Sequence, residues 1–268
     1  MRRIAIINQK GGVGKTTTAV NLAAGVAASG RRVALIDLDP QAHATTHLGV
    51  EPNDERPSIY DVLVHNRPLA EARSTVAPRL DLVGSDLHLA AADVELAGVV
   101  GRELILRDAL SADTEEYDLL FMDCAPSLGV LTLNALAAAN EVLIPLQPHY
   151  LALHGLSKLL ETTALVARRI NPGLRVRGVV VCLYDATTRL AHEVIRDLEE
   201  FLERSRAADV PWSVARVFAT RIRRNVKLAE CPSFGRSIFD YAPTCNGAAD
   251  YRQLAQEFVA ETALVGAA

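Results

Sequence analysis

The segment from Asn8 to Thr17, with the sequence NQKGGVGKTT, constrains the fold of this chain more than any other. It follows an apolar run at residues 4–7 and precedes a stretch at residues 19–28 with the apolar spacing of a helix. A strand, a glycine-rich turn and a helix form the setting in which backbone N–H groups and a helix N-terminus bind phosphate. The segment therefore predicts a phosphate-binding loop in an α/β protein.

The residue types in this loop suit separate tasks. The glycines let backbone N–H groups approach phosphate oxygens closely. Lys15 is placed for the β- and γ-phosphates of a nucleotide, and the hydroxyl of Thr16 is placed for Mg²⁺. We expect the phosphate-binding residues to be Gly11, Gly12, Val13, Gly14, Lys15, Thr16 and Thr17.

The loop departs from the standard phosphate-loop pattern at one position. Gln9 stands where the first glycine is usual, and a second lysine, Lys10, precedes Gly11. This arrangement resembles the deviant Walker A loop of the ATPase class that includes ParA, MinD and the nitrogenase iron protein. The resemblance implies a P-loop NTPase fold, ATP and Mg²⁺ as cofactors, and a Lys10 that reaches across a dimer interface to the nucleotide of the partner subunit.

Composition and length limit the possible classes of protein. The chain has 268 residues, 50% of them hydrophobic, and we predict a single domain over residues 1–268. The net charge of −4 excludes a global attraction to nucleic acid, so any DNA contact requires a local basic patch. No apolar run approaches the roughly 20 residues of a spanning helix. We therefore expect a cytoplasmic protein with no membrane partner.

Apolar strands alternate with amphipathic helical patterns along the chain. This alternation is typical of a mostly parallel, twisted sheet flanked by helices, and it places the chain in the α/β class. The patterns predict strands near residues 3–8, 32–37, 80–84, 118–122, 141–145, 177–183 and 213–218. They predict helices near residues 15–29, 59–65, 103–111, 128–139, 156–170, 189–206 and 248–264.

The second predicted strand ends in two carboxylates, Asp37 and Asp39, within the sequence DLDPQ. Carboxylates at the carboxyl end of a parallel strand face the ligand crevice of an open α/β sheet. Their alternative role is to cap a turn or helix after the strand. The segment resembles the D-x-D-P-Q switch of the ParA family. This implies that Asp39 positions the attacking water, as a catalytic residue with Lys10 and Lys15, and that Asp37 lies close to Mg²⁺.

A second apolar run, residues 118–122, ends in Asp123 and is typical of a Walker B strand, in which the aspartate holds Mg²⁺ through water. The sequence that follows resembles the D-x-x-P-S form of ParA-like proteins. The predicted metal site consists of Thr16, Asp37, Asp39 and Asp123. His43 and His47 form a conceivable second metal pair, but they lack a third ligand nearby, and we expect them to be surface residues.

A local basic cluster lies late in the chain, with no acidic residue between Trp212 and Ala229. Binding to a phosphate backbone requires such a cluster, although a solvated run of charge has the same composition. Residues 222–235 resemble the ParA signature I-P-R-N-V-R-L-S-E-A-P-S-F-G. The resemblance implies that Arg223, at the usual proline position, and Asn225 border the adenine.

We expect DNA contacts from the basic residues of this region and of the loop after the sixth predicted strand. In chromosomal ParA relatives an arginine of that loop helps to bind DNA. Thr187 occupies the equivalent position here, and Arg189, two residues later, is the candidate replacement. The predicted DNA-binding residues are Arg189, Arg216, Arg221, Arg224 and Lys227.

Together these ordered motifs identify the chain as a member of the ParA/Soj family of partition ATPases. The resemblance implies an ATP-dependent homodimer on non-specific double-stranded DNA at the nucleoid, released by hydrolysis that a ParB-type partner stimulates. One alternative is a MinD-like membrane-positioning ATPase. It needs a basic C-terminal helix, but residues 250–268 hold one basic residue and three acidic ones. Another is an ATP-gated regulator of replication initiation, which the sequence leaves open.

Overall fold

The computed structural model describes residues 1–52, 56–150 and 152–260. The strands in these residues are β1 (Arg2–Ile6), β2 (Val33–Leu38), β3 (Arg73–Ala77), β4 (Leu80–Val83), β5 (Leu119–Cys124), β6 (Glu141–Leu146), β7 (Arg175–Val181) and β8 (Arg216–Val217). They form one sheet in the order β3-β4-β2-β5-β1-β6-β7-β8. All neighbouring pairs are parallel except β3 and β4, which are antiparallel. The predicted α/β class with a mostly parallel sheet is confirmed.

The α-helices in the described part of the chain are α1 (Lys15–Ala28), α2 (His43–His47), α3 (Ile59–His65), α4 (Leu69–Ala72), α5 (Ala92–Glu95), α6 (Ile105–Ala112), α7 (Val130–Ala138), α8 (Ala152–Arg169), α9 (Arg189–Ser205), α10 (Val226–Glu230), α11 (Ile238–Tyr241) and α12 (Asn246–Ala260). Short 3₁₀ helices span Leu87–Ala91, Arg102–Leu104 and Cys231–Phe234. None of the helices among these residues is long and apolar enough to cross a membrane.

Helices cover both faces of the sheet, as the apolar strands require. Side chains alternate along each strand, so Ala5 packs into one hydrophobic cluster while Ile4 and Ile6 pack into the other. The first cluster includes buried residues of α7, α8 and α9, and the second includes those of α1 and α12. Because β1, β2 and β5 are parallel, the loops that follow them leave the sheet at the same end, the carboxyl end of the strands. Ligands bind at this end in folds of this kind.

Several element predictions need correction. The short strand β3 was not predicted, because its polar sequence RSTVA stays only half buried at the edge of the sheet. The predicted strand at 213–218 is reduced to Arg216–Val217, also at an edge. The helix predicted from residue 156 already begins at Ala152. The last residues of the helix predicted at 248–264, like part of the predicted 1–268 domain, lie outside the described residues.

Candidate nucleotide site and basic surface

The loop between β1 and α1 has the tight backbone conformation that its glycines predicted. Gly12 and Gly14 adopt φ values of 73° and 93°, a left-handed conformation that favours glycine. The carbonyl of Gly14 accepts the first hydrogen bond of α1, from the N–H of Thr18 at 2.9 Å. A Cβ atom added to Gly11 or Gly12 would meet nothing within 4 Å, so the outer side of the loop is open to a ligand or to another molecule.

Lys15 is a buried cation at the start of α1, with only 7% of its surface exposed. Its Nζ donates to the carbonyl oxygen of Lys10 at 3.0 Å. Burial lowers the pKa of Lys15, whereas the carboxylates of Asp123 and Asp39 act to raise it. A desolvated ammonium group beside a glycine-rich loop and a helix N-terminus is suited to bind a phosphate.

Asp123, at the end of β5, is fully buried. Neither of its carboxylate oxygens has a hydrogen-bond partner of good geometry among the described residues. Burial and the charge of Asp37 raise the pKa of Asp123 well above its usual range, although the nearby Thr16 hydroxyl and Lys15 act to lower it. A buried carboxylate with so few polar partners is costly unless a ligand satisfies it, so this environment is consistent with the predicted metal-binding role of Asp123, which stays a prediction.

Asp37 and Asp39 differ in how their carboxylates are held. Asp37 Oδ2 accepts hydrogen bonds from the N–H of Thr45 at 2.9 Å and from its hydroxyl at 2.7 Å, and Oδ1 accepts from the N–H of Asp39 at 3.1 Å. Burial raises the pKa of Asp37 to about 6, while these hydrogen bonds lower it. Asp39 Oδ1 accepts from the N–H of Gln41 at 3.0 Å. Both carboxylates thus hold the turn after β2, as in the alternative role predicted for them, and neither residue is the N-cap of α2.

These residues offer few metal ligands of their own, which suits Mg²⁺ better than a metal ion that the protein must surround. Within residues 1–52, 56–150 and 152–260, no group of three or more His, Cys, Asp or Glu side chains is arranged to hold a metal ion alone. Both oxygens of Asp37 already accept hydrogen bonds, and Asp39 Oδ1 accepts one. Asp123, Asp39 Oδ2 and the Thr16 hydroxyl therefore have the most capacity for a ligand among the described residues, and metal contacts of Asp37 and Asp39 stay predictions. Mg²⁺ usually binds one or two protein oxygens together with waters and substrate phosphates, and this donor set fits that pattern.

The predicted basic residues partly converge where β7 and β8 end. An isolated bridge between Tyr184 and Arg223 joins the two loops. The guanidinium of Arg221 lies 5.2 Å from the ring centroid of Tyr184. The backbone N–H of Arg224 donates to the Tyr184 carbonyl at 3.3 Å. Two hydrogen bonds from Thr187 lower the pKa of Asp185, and the positive charge of Arg224 lowers it further. Exposed Arg189 begins α9 in the same loop region.

Other members of the predicted set are held by acidic partners. Lys227 lies on α10, 2.8 Å from the carboxylate of Glu230, and remains exposed. Arg216, in β8, pairs with Glu257 at 3.2 Å and stacks over Phe218, so it is half buried in the fold. We therefore define the basic surface as Arg189, Arg221, Arg224 and Lys227, and the role predicted for Arg216 in DNA contact stays a prediction.

The two residues predicted to border the adenine have local structural partners. The Arg223 guanidinium and backbone N–H both bind the buried carboxylate of Asp250, with an Nε–Oδ1 distance of 3.1 Å and an N–Oδ2 distance of 3.0 Å. The side chain of Asn225 caps α10 by accepting from the N–H of Lys227 at 2.8 Å. These contacts fix the backbone between the two residues, and their contact with a nucleotide remains a prediction.

Comparisons with known proteins establish the family. The family profile described as an AAA domain matches residues 1–176. The chain is 43% identical over 258 residues to the sporulation initiation inhibitor protein Soj of Bacillus subtilis, covering 96% of this chain and 98% of that protein. The chain belongs to the ParA/Soj family of chromosome-partitioning ATPases. It is also 46% identical over 260 residues to the chromosome-partitioning ATPase Soj of Thermus thermophilus, covering 97% of this chain and 96% of that protein.

A solved structure has a similar fold. Cobyrinic acid a,c-diamide synthase from Mycobacterium smegmatis, with bound ATP analogue and magnesium, superposes on this chain with a TM-score of 0.79. The two sequences are 34% identical, and the match covers 96% of this chain and 93% of the other.

Helix α2 and the residues just beyond it link the carboxylates to the region that follows α10. Thr45, which holds Asp37, lies on α2 together with His47, and His47 Nε2 lies 3.3 Å from Sγ of Cys231. Just beyond α2, Gly49 lies against Gly235. A Cβ added at Gly235 would come within 2.8 Å of the Gly49 Cα, so only glycine permits this approach. The switch segment and the region after α10 therefore pack as neighbours through atoms with little room to move.

The arrangement of His43 and His47 corrects the expectation that both lie on the surface. His43 is exposed, whereas His47 is 1% exposed and points toward Cys231. The two side chains thus do not form the conceivable metal pair. Burial lowers the pKa of His47 to about 4, although a backbone contact with Arg236 acts to raise it. His47 is a neutral residue that packs α2 against the region after α10.

Replacing His47 with glutamine should flatten the pH dependence of stability. In the unfolded chain His47 titrates near its ordinary pKa of about 6.5, so acidification favours unfolding as the pH falls from there toward the folded pKa of about 4. Between pH 7.5 and 5, the wild-type chain should lose about 2 kcal/mol more than His47→Gln in the free energy of unfolding, measured with urea. The raised pKa values of Asp37 and Asp123 oppose this trend equally in both proteins.

The matched control for this measurement is His43→Gln, which removes an exposed histidine of the same helix. Its pH dependence should follow the wild type. Equal slopes for all three proteins would mean that His47 titrates in the folded chain as it does in the unfolded one.

The sequence did not predict the residues whose side chains contact Lys10, Asp37 and Arg223. His149 contacts the Lys10 ammonium, Thr45 holds Asp37, and Asp250 holds Arg223. Asp250 is an acid on a predicted helix and Thr45 follows the switch, but neither stands in a motif that signals its contact. Only the three-dimensional arrangement reveals these partners.

Proposed function

We propose that this ParA/Soj ATPase binds ATP with Mg²⁺ at the loop between β1 and α1 and hydrolyses it slowly. The observation that supports this most strongly is the buried carboxylate of Asp123, which has no hydrogen bond of good geometry within the described residues and lies near the buried ammonium of Lys15. Both groups lie at the open glycine loop, where a triphosphate and its metal ion satisfy them together. Residues 1–268 act as one domain in this proposal.

In this proposal, different residues bind the phosphates, hold the metal ion and position the attacking water. The loop from Gly11 to Thr17 binds the phosphates through backbone N–H groups, with Lys15 on the β- and γ-phosphates. Thr16 and Asp123 would hold Mg²⁺, with Asp37 and Asp39 as the other predicted residues around it, and the bound ion would offset the charge of the phosphates. Asp39, whose carboxylate lies close enough to Lys15 to influence its pKa, orients the attacking water.

Two subunits close on two nucleotides in the ATP-bound state of this proposal, with each Lys10 entering the site of its partner. The open outer side of Gly11 and Gly12 supports such a close approach, because no described atom lies within 4 Å of a Cβ position there. Dimerisation then depends on the γ-phosphate, since ATP binds the closed dimer better than the single subunits.

DNA binding follows from dimerisation. Each subunit contributes a basic surface of Arg189, Arg221, Arg224 and Lys227, which suits the phosphate backbone and has no element for reading bases. A dimer doubles the number of phosphate contacts, so weak contact with non-specific double-stranded DNA becomes useful binding. The packing of α2 against Cys231 connects the nucleotide site to the region directly after α10, the helix that carries Lys227.

Hydrolysis ends the cycle by opening the dimer and releasing DNA. A ParB-type partner stimulates this step in our proposal, so the protein acts as a timer at the nucleoid in the cytoplasm. The direct test is retention on DNA with ATP, ADP or no nucleotide across a salt series. ATP-specific retention that falls steeply with salt is the expected result, and equal retention in all three states would refute the proposal.

Replacing Gly12 with valine should weaken the ATP-dependent dimer at least about tenfold. A branched side chain is strained at φ 73° and adds bulk where the partner subunit approaches. Sedimentation velocity with a non-hydrolysable ATP analogue measures the dimer, and fluorescent nucleotide binding is measured alongside it.

Gly98→Val is the matched control, since a Cβ at Gly98 also meets open space and its backbone is not left-handed. It should dimerise like the wild type. A Gly12→Val chain that forms ATP-dependent dimers at wild-type concentrations would contradict the close approach of two subunits at this loop.

A further inference from the structure

The predicted crossing lysine already has a partner in its own subunit. Lys10 and His149 line one groove beside the glycine loop, together with the apolar side chains of Val13 and Leu146. The ammonium of Lys10 contacts Nε2 of His149 within this groove. His149 follows β6 and precedes α8, so this contact joins the loops that leave two neighbouring strands.

The backbone of Lys10 is fixed while its side chain has a choice of positions. The N–H of Lys10 donates to Asn8 Oδ1 at 3.0 Å, and the Asn8 amide donates to the Pro145 carbonyl at 2.7 Å. The carbonyl of Lys10 accepts from Lys15 Nζ at 3.0 Å. Any change in where the Lys10 ammonium lies must therefore come from side-chain rotation, which takes nanoseconds or less for an exposed residue.

The chemistry of the contact requires a neutral imidazole. An ammonium group only donates hydrogen bonds, so Nε2 of His149 must accept through its lone pair. Partial burial and the charge of Lys10 both lower the pKa of His149, which favours the neutral form at pH 7. Lys10 is the only other titratable side chain among the described residues lining the groove. Tyr150 and His154 are the nearest titratable residues on the same stretch of chain.

We propose that His149 is a positioning residue that holds the Lys10 side chain in its own subunit without nucleotide and releases it when two subunits close on ATP. This inference rests on the proposed role of Lys10 across the dimer interface. One ammonium group cannot occupy both places, so the contact with His149 reduces the fraction of subunits ready to dimerise. Protonation of His149 places two cations together and frees Lys10.

The dimer test uses three variants at position 149 or nearby. Because a hydrogen bond of this kind contributes modestly, His149→Ala should lower the dissociation constant of the ATP-dependent dimer about threefold to tenfold, measured by sedimentation with a non-hydrolysable analogue. His149→Gln, which retains an acceptor at similar reach, should stay near wild type. The exposed His154→Ala should be unchanged. Between pH 8 and 6, dimerisation should strengthen in the wild type more than in His149→Gln.

A second measurement tests the contact without relying on dimers. The His149 pKa, followed by NMR in the nucleotide-free chain, should rise in Lys10→Met because a neighbouring positive charge is lost. An unchanged pKa would overturn the contact itself. A raised pKa combined with identical dimerisation of wild type and His149→Ala would overturn the positioning role. Absence of dimers in the wild type, with the pKa shift present, would instead refute the proposed function and the release step with it.

Discussion

Replacement of Asp39 with alanine is expected to lower ATP turnover at least about 100-fold while dimers remain on DNA, because positioning of the attacking water contributes roughly that much. The Asp39 side chain lies beside the crevice, where its charge and that of Asp123 both act on Lys15. Removal of this carboxylate leaves Asp123 and Lys15 in place for ATP and Mg²⁺. Phosphate release and the lifetime of the DNA complex after dilution are the two measurements.

The two readouts separate the partition cycle from a regulator that never depends on hydrolysis. The control is Asp209→Ala, which removes an exposed acid from the connection between α9 and β8. It should leave both values unchanged. Turnover and DNA residence that stay at wild-type values in Asp39→Ala would contradict the assigned role, and lost turnover with unchanged residence would favour an ATP-gated regulator.

The double replacement of Arg224 and Lys227 by glutamate should weaken DNA binding on the order of a thousandfold at 0.1 M salt, because a dimer loses four phosphate contacts. Both residues are exposed at one end of the sheet, Arg224 beside Tyr184 and Lys227 on α10. Neither touches the glycine loop in the described structure, so nucleotide binding should persist. DNA binding is measured as a function of salt, where the slope should also fall by roughly four.

The control for this variant has the same change of charge. Arg204 and Arg206 are exposed near the end of α9, and their replacement by glutamate alters the net charge equally. If this control lost as much affinity as Arg224→Glu with Lys227→Glu, binding would depend on the overall charge of the protein. Unaltered affinity in the Arg224 and Lys227 variant would place the DNA contact elsewhere, with Arg189 and Arg221 as the next residues to test.

Features determined by residues close together in the chain were predictable from the sequence. The strand, glycine turn and helix from β1 to α1 form as expected, since the glycines, the apolar run and the helical spacing all act locally. Asp37, Asp39 and Asp123 are brought to one edge because parallel strands place their carboxyl ends together. The polar edge strand β3 escaped prediction because pairing with β4, more than its own sequence, stabilises it.

The sequence by itself determined the glycine-rich loop between strand and helix, the positions of the main strands along the chain and the presence of a local basic cluster. Only the tertiary structure decided which side chains hold these parts in place. Lys10 meets His149 across 139 positions of sequence, and His47 meets Cys231 across 184. Such contacts depend on how distant segments pack around the sheet, and no periodicity or short motif encodes that packing.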